Sequence, residues 1–164
     1  MRTPTVFKRK RLGLTDYRKR YRLVKSDIPR LVVRPSGKGG TVQLVRFDPS
    51  GDRVLKTVTP SNLVKEGLSL KRNNTSVFYL MGFSMGKYAV SAGIDQAILD
   101  TGRHVLSKGG KITATIKGFV DAGGNLPHDE SILPDDGRIQ GKHLKSRKAQ
   151  TAVKEGIKKL EEKA

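Results

Sequence analysis

The chain has 164 residues, enough for one domain with its own hydrophobic core and some appendages. Its 33 Lys and Arg against 15 Asp and Glu give a net charge of +18, far beyond what solubility needs, which points to nucleic acid or an anionic membrane surface as partner. There is no cysteine, which excludes disulfides and thiolate metal sites and fits a reducing compartment.

The charge is unevenly spread. Twelve basic residues stand against two acids in residues 1–34, twelve against ten in 35–137, and nine against three in 138–164. A nearly neutral domain with basic ends is the pattern of tails that grip a partner around a folded core. The expected organisation is a basic arm and short helix over 1–28, a core domain over 29–124, and an irregular segment with a basic C-terminal helix over 125–164. The basic N-terminus lacks the apolar run of a signal peptide. The longest apolar stretch, from Val77 to about Ala92, is too short for a membrane span and carries Lys87.

The stretch KRKRLGLTDYRKRYR at 8–22 contains eight Lys or Arg and two Tyr. Residues 1–14 have no apolar period and are expected to be extended. Thr15 is the expected N-cap of a short helix, with Asp16 in its first turn. Tyr17, Tyr21 and Val24 fall on one helical face, and Arg18, Arg22 and Lys25 on another. Pro29 ends the helix, because the residue before a proline avoids the helical region.

Three strands are expected next: RLVVR at 30–34, TVQLVRF at 41–47 and RVLKTVT at 53–59. PSGKGG at 35–40 separates the first two, and DPSGD at 48–52 is a strong turn signal before the third. Short links make them an antiparallel meander. TSVFYLMGFSMGKYAVSA at 75–92 is apolar almost all round, as in a helix buried on most sides. Gly82 and Gly86 share a face, each costing about 1 kcal/mol of helix propensity relative to Ala. Close approach of backbone to the sheet is the expected compensation. QAILD at 96–100 reads as a buried strand, parallel to a neighbour because a helix leads back to it. Ile112, Ile116, Phe119 and Val120 mark a second helix over 111–122. Residues 124–141 look irregular. From Lys142 onward Ala149, Val153, Ile157 and Leu160 form a helical stripe, and Glu155 and Lys159 an i,i+4 pair. The fold class is α/β: a three-strand antiparallel meander plus a further strand in one mixed sheet, packed by two helices, with a basic N-terminal arm and a C-terminal helix.

Signals for chemistry are poor. The three histidines build no recognisable metal motif, and His128-Asp129-Glu130 reads as a solvated loop, so no metal and no cofactor are expected. GFSMGKYA at 82–89 lacks the spacing and the Ser or Thr of a phosphate loop, and it sits inside a helix. Backbone N–H groups at SKGGK, 107–111, can hold a phosphate or simply cap the second helix. Asp100 suggests a nuclease carboxylate with Asp95 or Asp121, but an Asp that holds backbone or an Arg is the favoured reading.

The nucleic-acid signal is stronger, because each cation that neutralises a phosphate releases counterions. Tyr17 and Tyr21 admit two readings, stacking on unpaired bases or anchoring the helix to the domain. The alternatives left open for the basic run are a solvated face or a localisation signal, and membrane binding is disfavoured because the arm has no large apolar face.

TDYRKR at 15–20, PRLVVR at 29–34, FDPSGDR at 47–53, GKYAVSAGIDQAILDTG at 86–102 and LPDDGRIQGKH at 133–143 resemble, in order and spacing, large-subunit ribosomal protein eighteen of the archaeal and eukaryotic branch. The resemblance covers nearly all of the chain. It implies a non-enzymatic, cytoplasmic protein of the ribosome. The implied partners are 5S rRNA, the large-subunit (23S-type) rRNA of the central protuberance, and its neighbouring proteins, among them large-subunit protein five. No homo-oligomer is expected. By matching position, Tyr17, Arg18, Arg20, Arg30 and Arg34 are implied RNA contacts. Arg9, Lys10, Arg11, Arg22, Lys38, Lys142, Lys145, Arg147 and Lys148 join them by position and charge, and Tyr21 as a ring among those cations. The chain departs from the family after the first strand, where Pro35-Ser36-Gly37-Lys38-Gly39-Gly40 replaces a Ser-Asn pair and a basic residue. A transient assembly factor on the same RNA and a metal-dependent nuclease are the rival functions.

Overall fold

The β-branched runs of the first half form strands β1 (Arg30–Ser36), β2 (Gly39–Arg46) and β3 (Arg53–Val58), joined as an antiparallel meander in this computed structural model. Residues 5–37, 39–65, 67, 73–142, 151, 154–156 and 158–159 are described. A short β4 (Ile98–Asp100) pairs in parallel with β1, giving the order β3-β2-β1-β4. This is the mixed sheet expected from the sequence.

The hairpin between β1 and β2 is tighter than the loop expected over 35–40. Ser36 pairs with Gly39, so only two residues turn. Pro35 is tolerated in β1 because β4 reaches only as far as Val32, leaving that side of Pro35 without a ladder partner. Gly40 is required by packing: a Cβ there would strike the Phe78 ring. The β2–β3 turn forms as its residues dictate. Asp48 Oδ1 accepts from the Ser50 N–H at 2.9 Å and from its hydroxyl at 2.6 Å.

Leu31, Val33, Val42 and Leu44, at alternate strand positions, are fully buried in the core. Against them packs α4 (Thr75–Ser91), which Asn74 caps by accepting from the Val77 N–H at 2.9 Å. Twelve of its 17 residues are buried, so it is the central helix of the domain. The second helix of the core, α5 (Lys111–Asp121), lies against it.

The glycines of α4 serve this helix pair and not the sheet. A Cβ on Gly82 would overlap the Thr115 carbonyl, one on Gly86 would meet the Phe119 carbonyl oxygen and Ala122, and one on Gly118 would overlap the Tyr79 carbonyl. Three glycines thus let two helix backbones touch, which corrects the expected approach to the sheet and removes any phosphate-loop reading of 82–89.

Three short helices escape the sequence pattern: α1 (Lys8–Arg11), α3 (Pro60–Lys65) and α6 (Asp136–Ile139), besides a 3-10 turn at Glu130–Ile132. α1 replaces the extended arm expected there. The short helix of the arm is α2 (Tyr17–Lys25), and its N-cap is Asp16 rather than Thr15. Of the expected C-terminal helix, residues 151, 154–156 and 158–159 are helical, and most of the remainder lies outside the described residues.

Candidate nucleic-acid interface

The face of the sheet away from α4 carries Arg30, Val32 and Arg34 from β1. In the parallel register Asp100 lies beside Val32, two places from either arginine. The consequence is a shared carboxylate. Arg30 Nη1 lies 3.3 Å from Asp100 Oδ2, and Arg34 Nη2 lies 3.0 Å from its Oδ1. Arg34 Nη1 also donates to the Asp100 carbonyl at 2.6 Å, and the Gly102 N–H donates to Oδ1 at 2.8 Å. Asp100 therefore holds arginines and backbone, as the favoured sequence reading has it. Asp121 accepts from the Tyr79 hydroxyl instead, so it does not join Asp100 in a metal site.

Asp52, at the end of the β2–β3 turn, extends the chain of charges. Its Oδ2 lies 2.8 Å from Arg30 Nη2 and 2.6 Å from Arg20 Nη2 on α2. The order is Arg20, Asp52, Arg30, Asp100, Arg34. Burial pushes the Asp52 and Asp100 carboxyls up, but the arginines beside them, with the Gly102 N–H for Asp100, outweigh it and hold both below the ordinary 3.8.

Arg30 is only 2% exposed, with its guanidinium enclosed between the two carboxylates. This corrects the expectation that Arg30 meets RNA directly, for it presents almost no surface. Burying a guanidinium costs several kcal/mol, on the order of the gain from pairing it. The network is also imperfect: Arg30 Nε and Asp52 Oδ1 are buried with no hydrogen-bond partner, and Arg30 Nη2 meets Asp52 as an ion pair without hydrogen-bond geometry. Its evident product is placement of α2 over the sheet. Lys19 of α2 adds hydrogen bonds to Thr101 Oγ1 at 3.1 Å and to the Gly102 carbonyl at 3.2 Å.

The docked face of α2 is therefore Lys19, Arg20 and the half-buried Leu23, not the tyrosine stripe. Tyr21 is 69% exposed and does not anchor α2 to any described residue. Tyr17 is 39% exposed and sits 6.5 Å, ring to ring, from Phe7 of the arm. The outward surface carries Arg18, Tyr21, Arg22 and Lys25, continued by Lys8, Lys10 and Arg11 of α1. None of these cations forms an ion pair with another described residue, and all are exposed. Arg9 is fastened to Thr15 Oγ1 at 3.1 Å. Lys142 is exposed after α6, far along the chain from the arm. Lys38, Lys145, Arg147 and Lys148 lie outside the described residues.

Asp52, Lys19 and Arg103, all missed by the sequence reading, belong to this region. Asp52 is hidden in a turn motif, although an acid just past a turn and opposite a basic strand is a usable signal. Arg103 comes from the loop after β4 and reaches the arm: its Nη1 would lie 2.9 Å from a Cβ on Gly13. Nothing local marks it. Elsewhere, Asp129 caps the 3-10 turn through the Ser131 N–H, and a ring nitrogen of His128 pairs with the Leu126 carbonyl.

Comparison with known proteins identifies the family. Residues 1–96 match the family described as ribosomal large subunit proteins 60S L5 and 50S L18. The chain is 48% identical over 159 residues to large ribosomal subunit protein uL18 of Thermoplasma acidophilum, covering 97% of this chain and 98% of that protein. It is 50% identical over 147 residues to the uL18 of Picrophilus torridus, with 90% and 92% covered. For the uL18 of Thermoplasma volcanium the figures are 46% over 159 residues, with 96% and 99% covered. With a profile match over more than half its length and near full-length relatives, the chain belongs to the uL18 family of large-subunit ribosomal proteins.

Proposed function

We propose that this protein binds 5S rRNA and anchors it to the large-subunit rRNA in the central protuberance, beside large-subunit protein five. Family membership makes it a structural protein of the large subunit in the cytoplasmic ribosome, and not an enzyme. The finer assignment rests on one observation: the outward surface of α1 and α2 is basic, free of ion pairs with described residues, and interrupted by the exposed ring of Tyr21.

In this reading Arg9, Lys10, Arg11, Arg18 and Arg22 neutralise phosphate, and Tyr21 stacks on an unpaired base. Arg20 and Arg34 divide their donors between carboxylates and RNA, while Tyr17 steadies the arm through Phe7. Lys142 and the basic C-terminal residues Lys145, Arg147 and Lys148 add phosphate contacts, as does Lys38. Arg30 supports the surface from beneath. Specificity comes from RNA shape, which a prearranged helix reads at low entropic cost, and charge supplies affinity.

The test is equilibrium binding of the full chain to 5S rRNA and to a scrambled RNA of equal length, across a salt series. Preference for 5S rRNA that persists at high salt supports the reading. Equal binding, lost together as salt rises, leaves a generic polycation and ends the 5S assignment.

A further inference from the structure

A cleft of about 350 Å³ lies between the arm, α2 and the loop after β4. It is within the roughly 300–1,000 Å³ typical of small-ligand sites. Its cations are Arg9, Lys19, Arg20, Arg34 and Arg103, against the carboxylates of Asp16 and Asp100. Both acids are already engaged. Asp16 accepts from the Arg18 and Lys19 backbone N–H groups, and Asp100 is held by Arg30, Arg34 and Gly102.

Three of the cations are not so engaged. Among the described residues the side chains of Arg9 and Lys19 donate to neutral oxygens and not to carboxylates, and Arg103 has no ion pair. Three unneutralised cations converging in a concavity raise the local potential more than the same charges on a convex surface, because low-dielectric walls focus the field. The walls also include Leu14 and Leu23, apolar surface that a bare phosphate would not use. Cations beside apolar walls in a space of this size suit a nucleoside phosphate.

We infer that this cleft receives one unstacked nucleotide of the bound RNA, with its phosphate on Arg9, Lys19 and Arg103 and its base against Leu14 and Leu23. The inference rests on the RNA-binding reading above and gives it a discrete specificity pocket. An extruded nucleotide is a shape feature that duplex RNA lacks, so the cleft discriminates where the outer surface of α2 only attracts.

The free full-length chain is titrated with adenosine 5′-monophosphate, and separately with inorganic phosphate, while the backbone amides of Gly13, Thr101 and Gly102 are followed by NMR. Saturable shifts at millimolar nucleotide are expected, with phosphate clearly weaker. Arg103 is exposed, and Arg103→Gln should weaken nucleotide binding about tenfold, the worth of one charge-assisted contact, while Lys65→Gln, exposed at the end of α3 and outside the cleft, should not. Absence of saturable shifts overturns the proposal, and so does equal binding of phosphate and nucleotide, which would leave an anion site with no place for a base. Retention of nucleotide binding in Arg103→Gln overturns the assignment of its residues. Binding of 5S rRNA by a chain whose cleft refuses the nucleotide sinks this inference alone. A cleft that binds nucleotide in a chain indifferent to 5S rRNA sinks the 5S reading instead.

Discussion

Arg30 Nη2 lies 2.8 Å from Asp52 Oδ2 at a position only 2% exposed, and this contact ties strand β1 to the turn that also holds α2. A buried arginine at the start of a β-branched strand is costly unless carboxylates wait for it on both sides. Here Asp52 and Asp100 do so, and each also binds an outer arginine, Arg20 or Arg34. Helix α2 is thus held by charge from the core outward.

Arg30→Met should therefore lower stability by about 3 kcal/mol, near the low end for breaking a buried ion pair, because both carboxylates keep a second partner. Urea denaturation followed by circular dichroism measures it. Amide exchange in α2 should accelerate in the same variant. A unchanged urea midpoint would mean that the network is decorative.

The same network sets the acid response. The folded carboxyls of Asp52 and Asp100 lie below their ordinary 3.8, so protons bind the unfolded chain more readily. Their contribution is complete above pH 3.8 and is lost as pH falls through the lower folded values. Urea midpoints should be insensitive to these groups from neutrality to about pH 5 and should drop steeply below about pH 4. Asp100→Asn should be less stable at neutral pH and show a shallower acid slope. The slope should not vanish, since Asp48 is held low by Ser50, Asp129 by the Ser131 N–H and Asp136 by Lys117. An acid slope in Asp100→Asn as steep as in the parent would exclude Asp100 as a contributor.

Local pattern was enough for the four strands, the two core helices and the Asp48–Ser50 turn, because each rests on periodicity or on a turn residue acting within a few positions. The docking of α2 was not legible. Tyrosines suggest an anchor, yet the helix is held by Lys19 and Arg20, whose partners Thr101 and Asp52 stand 82 and 32 residues further on. Hydrophobic period cannot register a cation that is drawn inward by a distant carboxylate. For the same reason Arg30 looked like a surface contact and Arg103 went unnoticed. Gly82 and Gly86 announced a close approach, but spacing names the face and not the element that meets it. α1 and α3 are too short for a period to develop.

Gly118→Ala tests that helix contact. Alanine favours a helix by about 1 kcal/mol over glycine, so an isolated α5 would gain. In the domain its Cβ would overlap the Tyr79 carbonyl and lie 2.9 Å from the Phe83 nitrogen. Backbone cannot yield as a side-chain tip can, so a net loss of about 1–3 kcal/mol is expected from overpacking. Gly37→Ala is the control, with open space where the Cβ would be. Its urea midpoint should stay within about 0.5 kcal/mol of the parent, as surface substitutions do. A Gly118→Ala protein as stable as the Gly37→Ala control would show that α4 and α5 separate cheaply.

The outer surface of α2 separates stacking from charge. Tyr21 is 69% exposed and Arg22 has no ion pair with a described residue, so neither substitution should move the urea midpoint. Tyr21→Ala should cost about 1–3 kcal/mol in 5S rRNA affinity, the worth of one base on one ring, and Tyr21→Phe should restore it. Because the ring carries no charge, the dependence of log affinity on log salt should keep its slope in both. Arg22→Gln should behave in the opposite way, lowering that slope by about 0.7–0.9 for a single lost phosphate contact. Filter binding across a salt series reads both quantities. If Tyr21→Phe binds as poorly as Tyr21→Ala, the hydroxyl and not the ring is recognised, and Tyr21 is then a hydrogen-bond donor at the RNA surface rather than a stacking platform.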